Sequence, residues 1–340
     1  MDPVSQGAIG AALAQSASKP EYLRAFAVFG ALAGLAPDLD VLIQSSTDPL
    51  LFLEYHRHFT HALIFIPVGA LIVAGIVFRL WRHPLTFKQA YIASLLGYAT
   101  HALLDACTTY GTQLLWPFSD MRVAWNNVSV VDPLFTLPLL VCVIISLRRR
   151  RPQIAAVGMV WALFYLCLGV WQHDRARNVA IEMASAKGHV PLRLEVKPGF
   201  ANLILWKSVY EFEGTYYVDA VRVTAKRQWC AGSSIDKLDV AFHYPELDPN
   251  SQQARDIERF RWFSNDYLAP FQPHGFIIDI RYAAVPNDIN PLWGISVDEL
   301  ADAAQHAQFV PNRRVGPEQT QALLQLLRGT GCRDVTLKQH

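Results

Sequence analysis

The sequence predicts a multi-pass α-helical membrane bundle, with about four or five membrane segments, followed by a small α+β extramembrane domain. Three observations predict it. Apolar stretches long enough to cross a hydrocarbon core recur through the first half of the chain. Charged residues make up 17% of the chain, against an average of about 25%. Beyond residue 190 the pattern changes to short runs rich in β-branched and aromatic residues. A mean hydropathy of +0.17 is modest for a bundle alone, and an apolar half joined to an ordinary soluble half fits it better. The expected boundary gives residues 1–175 to the membrane domain and 176–340 to the α+β domain.

The N-terminal part is the least regular. Val4 to Ser18 is apolar and rich in small residues, and Ala25 to Ala36 is apolar but short. Each is near half a span, so a re-entrant pair and one broken helix both remain open. No basic region precedes the first apolar stretch, so no cleavable signal peptide is expected. Four clearer spans follow. Residues 61–80 read HALIFIPVGALIVAGIVFRL, and residues 89–106 carry only His101 and Asp105 as ionisable groups. Residues 128–147 carry only Asp132, and residues 152–173 carry no formal charge. In the second half, 192–196, 201–212 and 214–223 read as strands, with Glu213-Gly214 as a hairpin turn. Residues 251–266 have helical spacing, with Ile257, Phe260 and Phe263 on one face. A strand is expected at 276–285 and a helix at 317–329, ending at Gly329.

Charge sets the orientation and narrows the partners. A net charge of +1 gives no footprint for nucleic acid, so the expected partners are membrane lipids and a small-molecule or lipid substrate. Oligomeric state is left open. Arg79, Arg82 and Lys88 follow the 61–80 span, and Arg148 to Arg151 precede the 152–173 span. Both connections should be cytoplasmic, which puts residues 37–60, 107–127 and everything beyond Trp171 outside. Of the five cysteines, Cys107, Cys142 and Cys167 lie in or beside apolar stretches and read as small buried hydrophobes. Cys230 and Cys332 have no CxxC partner, which excludes a four-cysteine zinc site. They can form a disulfide if their domain is extracytoplasmic.

The chemistry concentrates in four short clusters. These are Asp38-Leu39-Asp40, His56-Arg57-His58-Phe59-Thr60-His61, His101 with Asp105, and Asp120 with Asp132. His101 and Asp105 are four apart, on one face of an apolar helix. An ionisable residue at the centre of such a helix costs about 2.5–3.5 kcal/mol on insertion scales. A shared cation offsets that cost, and imidazole with carboxylate suits zinc or manganese. The plainer alternative is a His–Asp hydrogen bond without metal. Asp38 or Asp40 can simply cap a helix, the histidines of 56–61 can line a wet loop, and Asp132-Pro133 is a strong helix start. His58 can pair with His61 at i,i+3. Asp120 reads equally well as a surface residue. The joint placement is what favours a site, because every cluster falls toward the outer face. The cytoplasmic loops hold only His83 and no acid.

The strings MDPVSQGAIGAAL, GALAGLAPDLDVL, YHRHFTHAL, HALLDACTTYGTQLLWPFSD and VVDPLFTLPLL, in that order, resemble the YdjM-like family of inner-membrane metal-dependent hydrolases. The resemblance is close over about residues 1–175 and looser beyond. It implies a bacterial inner-membrane protein that binds metal, and the imidazole and carboxylate donors make a divalent ion, zinc first, the expected one, in one or two copies. It implies metal ligands among Asp38, Asp40, His56, His61, His101 and Asp105, with Arg57 in the same motif. Asp40 and Arg57 are the expected catalytic groups, one as base and one on an anionic substrate oxygen; Arg57 also reads as an interfacial arginine on lipid headgroups. His-x-x-x-Asp on a helix is also similar to zinc-dependent phospholipase C and P1-type nucleases, at motif level. Many members of that family carry a histidine near the position of Gln6, and members often have a glycine where His58 stands and a serine where Ala62 stands. The hydrolase label of the family is itself inferred. The expected function is therefore a membrane-bound hydrolase of a phosphate ester or lipid-like substrate, with the C-terminal domain covering the site or recognising substrate. Two rivals stand beside it: a metal-stabilised interaction protein without catalysis, and a transporter or proton relay.

Overall fold

The computed structural model describes residues 1–312 and 315–335. They form two compact units. The first comprises Met1–Ile43, Tyr55–Trp171 and Phe200–Asn202. The second comprises Gln44–Glu54, Gln172–Gly199 and the chain from Leu203 onward.

The first unit is helical. Helix α1 spans Pro3–Ser16, with Asp2 as its N-cap accepting from the Val4 and Ser5 amides and Pro3 in the first turn. Helix α2 spans Leu23–Leu35 and runs on into a 3-10 helix, Ala36–Leu42. The short α3, Leu51–Tyr55, begins in the second unit. Then come α4 (Ile66–Leu80), α5 (Phe87–Ala106), α6 (Pro133–Arg149) and the 35-residue α7 (Pro152–Ala186). A capping box of Thr86 and Gln89 starts α5, and the Asp132 carboxylate with Pro133 starts α6. Residues 128–132, expected at the start of a span, are therefore not helical.

The N-terminal segments form an antiparallel helical hairpin, neither a single helix nor a broken one. Glycines let its backbones approach. A Cβ on Gly10 would meet the Gly30 carbonyl oxygen at 2.5 Å, one on Gly34 the Gln6 carbonyl at 2.7 Å, and one on Gly97 of α5 the Gly30 carbonyl at 2.1 Å. Gly30 and Gly34 are four apart, the small-xxx-small spacing of close-packed membrane helices. The hairpin turn packs with the basic connection, because Ala14, Ala25, Phe26 and Phe29 share a core with Leu85, Ala90 and Ala93.

Large apolar side chains point outward on α4 and small ones inward. On α4, Val68, Leu71, Ile72 and Ile76 are exposed while Gly69, Ala70 and Ala74 are buried. That inversion suits a lipid solvent. Among the described residues, three helices are long and apolar enough to cross a membrane: Leu23–Leu42, Leu63–Leu80 and Pro152–Ala186. Helix α5 has the length, 20 residues, but carries Lys88, His101 and Asp105; α6 has 17 residues.

The second unit is sheet-rich. Antiparallel strands β1 (Arg193–Pro198), β2 (Leu205–Phe212), β3 (Thr215–Val223) and β4 (Arg227–Asp236) form one sheet in chain order, with the short β9 (Arg333–Asp334) on β4. Phe212 pairs with Thr215 across the expected two-residue turn, where Glu213 and Gly214 have φ of 47° and 74°. Strands β5 (Leu268–Phe271), β6 (Phe276–Asp279), β7 (Trp293–Ser296) and β8 (Gln308–Pro311) make a second antiparallel sheet. Val209, Tyr216 and Val218 of the first sheet share a core with Ala269 and Ile278 of the second. The helices are the four-residue α8 (Val240–His243), α9 (Gln252–Phe263) and α10 (Pro317–Arg328). On α9, Ile257, Phe260 and Phe263 are buried as expected. Arg259 of α9 reaches Asp48 at 2.8 Å, which ties the 44–54 segment into this unit. Cys230 and Cys332 form a disulfide that fastens the chain after α10 to β4. Residues 201–204 and 280–285, expected as strand, are not, whereas β4 and the four-residue strands β5, β7 and β8 were not anticipated.

Candidate metal centre

Connectivity brings the histidines and aspartates to one end of the helical unit. Helix α2 delivers Asp38 and Asp40 just past its C-terminus, in the 3-10 helix. His56, Arg57 and His61 precede α4, and His101 and Asp105 occupy the last turns of α5. The basic connection between α4 and α5 lies at the other end of those helices.

Four donors converge. His61 Nε2 lies 2.9 Å from His101 Nε2, 3.5 Å from Asp38 Oδ1 and 3.3 Å from Asp105 Oδ2. His101 Nε2 lies 3.4 Å from Asp38 Oδ1 and 3.7 Å from Asp105 Oδ2. His61, His101 and Asp105 are fully buried, whereas the Asp38 side chain is 27% exposed. A second group, Asp38, Asp40 and His56, also offers atoms within 4.8 Å of one another.

The surrounding contacts fix which atoms face inward. His101 Nδ1 lies 2.6 Å from the Gly34 carbonyl, an acceptor only, so Nδ1 carries the proton and Nε2 a bare lone pair. His61 Nδ1 meets Thr60 Oγ1 at 3.0 Å and Asp40 Oδ2 at 3.3 Å. Asp40 Oδ2 also accepts from the Arg57 amide at 2.8 Å and from Thr60 Oγ1 at 3.0 Å, while its Oδ1 meets His56 Nδ1 at 2.8 Å. Arg57, 5% exposed, has φ of 64°. That conformation is held from both sides, since its amide donates to Asp40 and its carbonyl accepts from Gln113 at 3.0 Å. Its Nε is 2.9 Å from Asp105 Oδ2, its Nη1 donates to Thr108 Oγ1 at 2.9 Å, and the group lies over the Tyr110 ring.

The arrangement fits a divalent cation. Two imidazole nitrogens face each other at hydrogen-bonding distance, one of them a bare lone pair. Asp105 Oδ2, though close to Arg57 Nε, accepts no hydrogen bond of good geometry and is fully buried. An electron-poor centre is what such a set lacks. The buried Asp/His cluster can therefore hold a metal ion of a kind that the geometry leaves open.

Other expected residues lie elsewhere. Asp120 is exposed. Asp132 caps α6 and accepts from Tyr165 at 2.8 Å. His58 packs on the Tyr55, Phe59 and Trp116 rings and belongs to neither donor group. Sequence reasoning missed Thr60, Thr108 and the Gly34 carbonyl as supports. Gln6 is buried, donates to Asp105 Oδ1 at 2.8 Å, and leaves Oε1 without a hydrogen bond. The Met1 α-amine also contacts Asp105 Oδ1.

Comparison with known proteins agrees with the helical unit. The YdjM inner membrane protein family matches residues 1–176. The chain belongs to this family. It is 25% identical over 142 residues to the uncharacterized protein YfhP of Bacillus subtilis (strain 168), covering 42% of this chain and 43% of YfhP. It is 31% identical over 162 residues to the inner membrane protein YbcI of Escherichia coli (strain K12), covering 45% of this chain and 90% of YbcI. The chain thus spans less than half of YfhP and most of YbcI. No solved structure matches it. Membership of the YdjM family and the apolar helices together assign the protein to the inner membrane.

Proposed function

We propose that this YdjM-family protein is a membrane-bound, metal-dependent hydrolase acting on a phosphate ester or lipid-like substrate at the outer face. One observation carries the reading: His61 and His101 turn their Nε2 atoms toward each other at 2.9 Å, with two carboxylate oxygens beside them, in a largely buried cluster. Zinc is the preferred ion, since two imidazoles and two carboxylates suit it. A divalent cation held there supplies Lewis-acid stabilisation of developing negative charge and lowers the pKa of water.

The chain's own residues do the positioning. The Gly34 carbonyl and the Asp40–Thr60 pair hold the two imidazoles in the ligating tautomer. Asp40 and Arg57, expected from sequence as catalytic groups, take positioning roles in this reading. Asp40 acts through His61 and His56, and Arg57 balances and aims the Asp105 carboxylate. In this reading residues 1–175 hold the site and residues 176–340 recognise substrate outside the membrane. The basic connections at 79–88 and 148–151 support that orientation, with α4, α5, α6 and α7 crossing and the α1–α2 hairpin inserted from the outer side. The Cys230–Cys332 disulfide supports it too, because such bonds persist in oxidising compartments.

Purified protein should hold near-stoichiometric zinc, lost in His101→Ala, and should hydrolyse a member of a phosphate monoester, diester or phospholipid panel. Protein free of metal would end the reading. One specific observation favours a second reading, a structural metal in a non-catalytic protein: four protein donors can close a tetrahedral ion completely. Metal retained with every substrate untouched would select it.

A further inference from the structure

We propose that the cluster holds two divalent cations, an inner one closed by protein and an outer one open to solvent, joined by the Asp38 carboxylate. This rests on the metal reading above and adds stoichiometry and a division of labour. Asp38 is the one residue common to both donor groups: His61, His101 and Asp105 on one side, Asp40 and His56 on the other. A carboxylate has two oxygens and can serve two ions. Asp38 Oδ1 faces both buried imidazoles, at 3.5 Å and 3.4 Å.

The two groups differ in donor count and in access. The inner group has four protein donors, three of them with no exposed side-chain surface. Four protein donors are enough to close a tetrahedral ion with no open position. The outer group has three donors, and two of them reach solvent: His56 exposes 25% of its side chain and Asp38 27%. Three protein donors with an open position are what reactive sites keep. Asp40 is divided accordingly. Its Oδ2 is committed to the Arg57 amide, Thr60 and His61, while its Oδ1 meets His56 Nδ1. Without a cation a proton lies between Asp40 Oδ1 and His56 Nδ1. A cation bound there would take that place, since an imidazole nitrogen ligates only when it carries no proton. The outer ion is then the one that an anionic substrate oxygen can reach. Ions that share a carboxylate in two-metal sites lie about 3.5–4 Å apart.

Chelator-stripped full-length protein in detergent, titrated with Mn²⁺ and read by metal analysis and electron paramagnetic resonance, tests this. Wild type should saturate at two equivalents, with an exchange-coupled signal appearing only as the second ion binds. His56→Ala should saturate at one equivalent with an uncoupled signal. Saturation of wild type at one equivalent, two uncoupled ions, or two equivalents retained in His56→Ala would each overturn the proposal while leaving the single-metal reading intact. Zero equivalents would instead overturn that parent reading, and this proposal with it. The wild-type titration decides alone if the variant does not fold.

Discussion

Arg57 concentrates the cost of the site in one residue. Its guanidinium is buried against Asp105 and Thr108, and its backbone holds a left-handed conformation to reach Asp40. Removing one partner of a buried ion pair leaves an uncompensated charge and costs about 3–5 kcal/mol. Arg57→Gln should therefore lower the unfolding midpoint of the metal-free protein markedly, and saturating zinc should recover part of the loss by supplying the missing positive charge. Equal midpoints for variant and wild type, with chelator present, would show that Asp105 does not depend on the guanidinium. A second buried cation, in the C-terminal domain, behaves differently. Lys207 on β2 donates to the carbonyls of Asp288 and Pro286, at 2.8 Å and 3.4 Å. Burial pulls its pKa down to about 7, against the opposing pull of Asp288 and Asp279. Between about pH 7 and 10.5 the unfolded state binds the extra proton, so stability must rise with pH across that window. Urea unfolding of the protein from pH 7 to 10 should show that rise, and Lys207→Met should flatten it.

At the scale of elements, the site depends on how closely three helices approach. Gly97 lies one turn before His101, and a Cβ there would meet the Gly30 carbonyl carbon at 2.7 Å as well as its oxygen at 2.1 Å. Neither is the end of a flexible side chain, so α2 and α5 must separate. Gly97→Ala should cost about 1–3 kcal/mol by overpacking and should weaken metal binding, since His101 takes its orientation from Gly34 on α2. Gly75 of α4 has nothing within 4 Å of an added Cβ, so Gly75→Ala should leave both stability and metal content at least at wild-type level. Loss of metal in both variants would remove the packing argument. The same contact explains what the sequence made legible. Asp132-Pro133, Glu213-Gly214 and the stripe Ile257, Phe260, Phe263 carry their structure in adjacent residues, and each is where it was expected. Strands β5, β7 and β8 have four residues each and exist through pairing with distant neighbours, too short for a period to register. Residues 227–236 lack alternation, and β4 forms because β3 offers it an edge. The ligand residue types were visible as motifs. The Gly34 carbonyl as a partner of His101 was not, because it follows from close glycine contacts between helices far apart in the chain.

For the molecule as a whole, the side of the membrane on which the C-terminal domain lies decides what the site can act on. The disulfide and the basic connections argue for the same side by independent physics, one through redox compartment and one through charge. The bond closes a segment of 102 residues, and in the chain-entropy account a loop of that length is worth about 4.7 kcal/mol. Cys230→Ser with Cys332→Ser should therefore lower the unfolding midpoint of the C-terminal domain, whereas Cys107→Ser, at a free cysteine, should not reproduce that effect through a bond. The orientation has its own measurement. Alkaline phosphatase fused after residue 335 should be active and a cytoplasm-dependent fluorescent protein at the same point dark, with the opposite pattern for fusions in the 81–86 connection. A domain that is cytoplasmic by this measure would have its cysteines held reduced in cells, and the proposed outer-face substrate would lose both of its supports together.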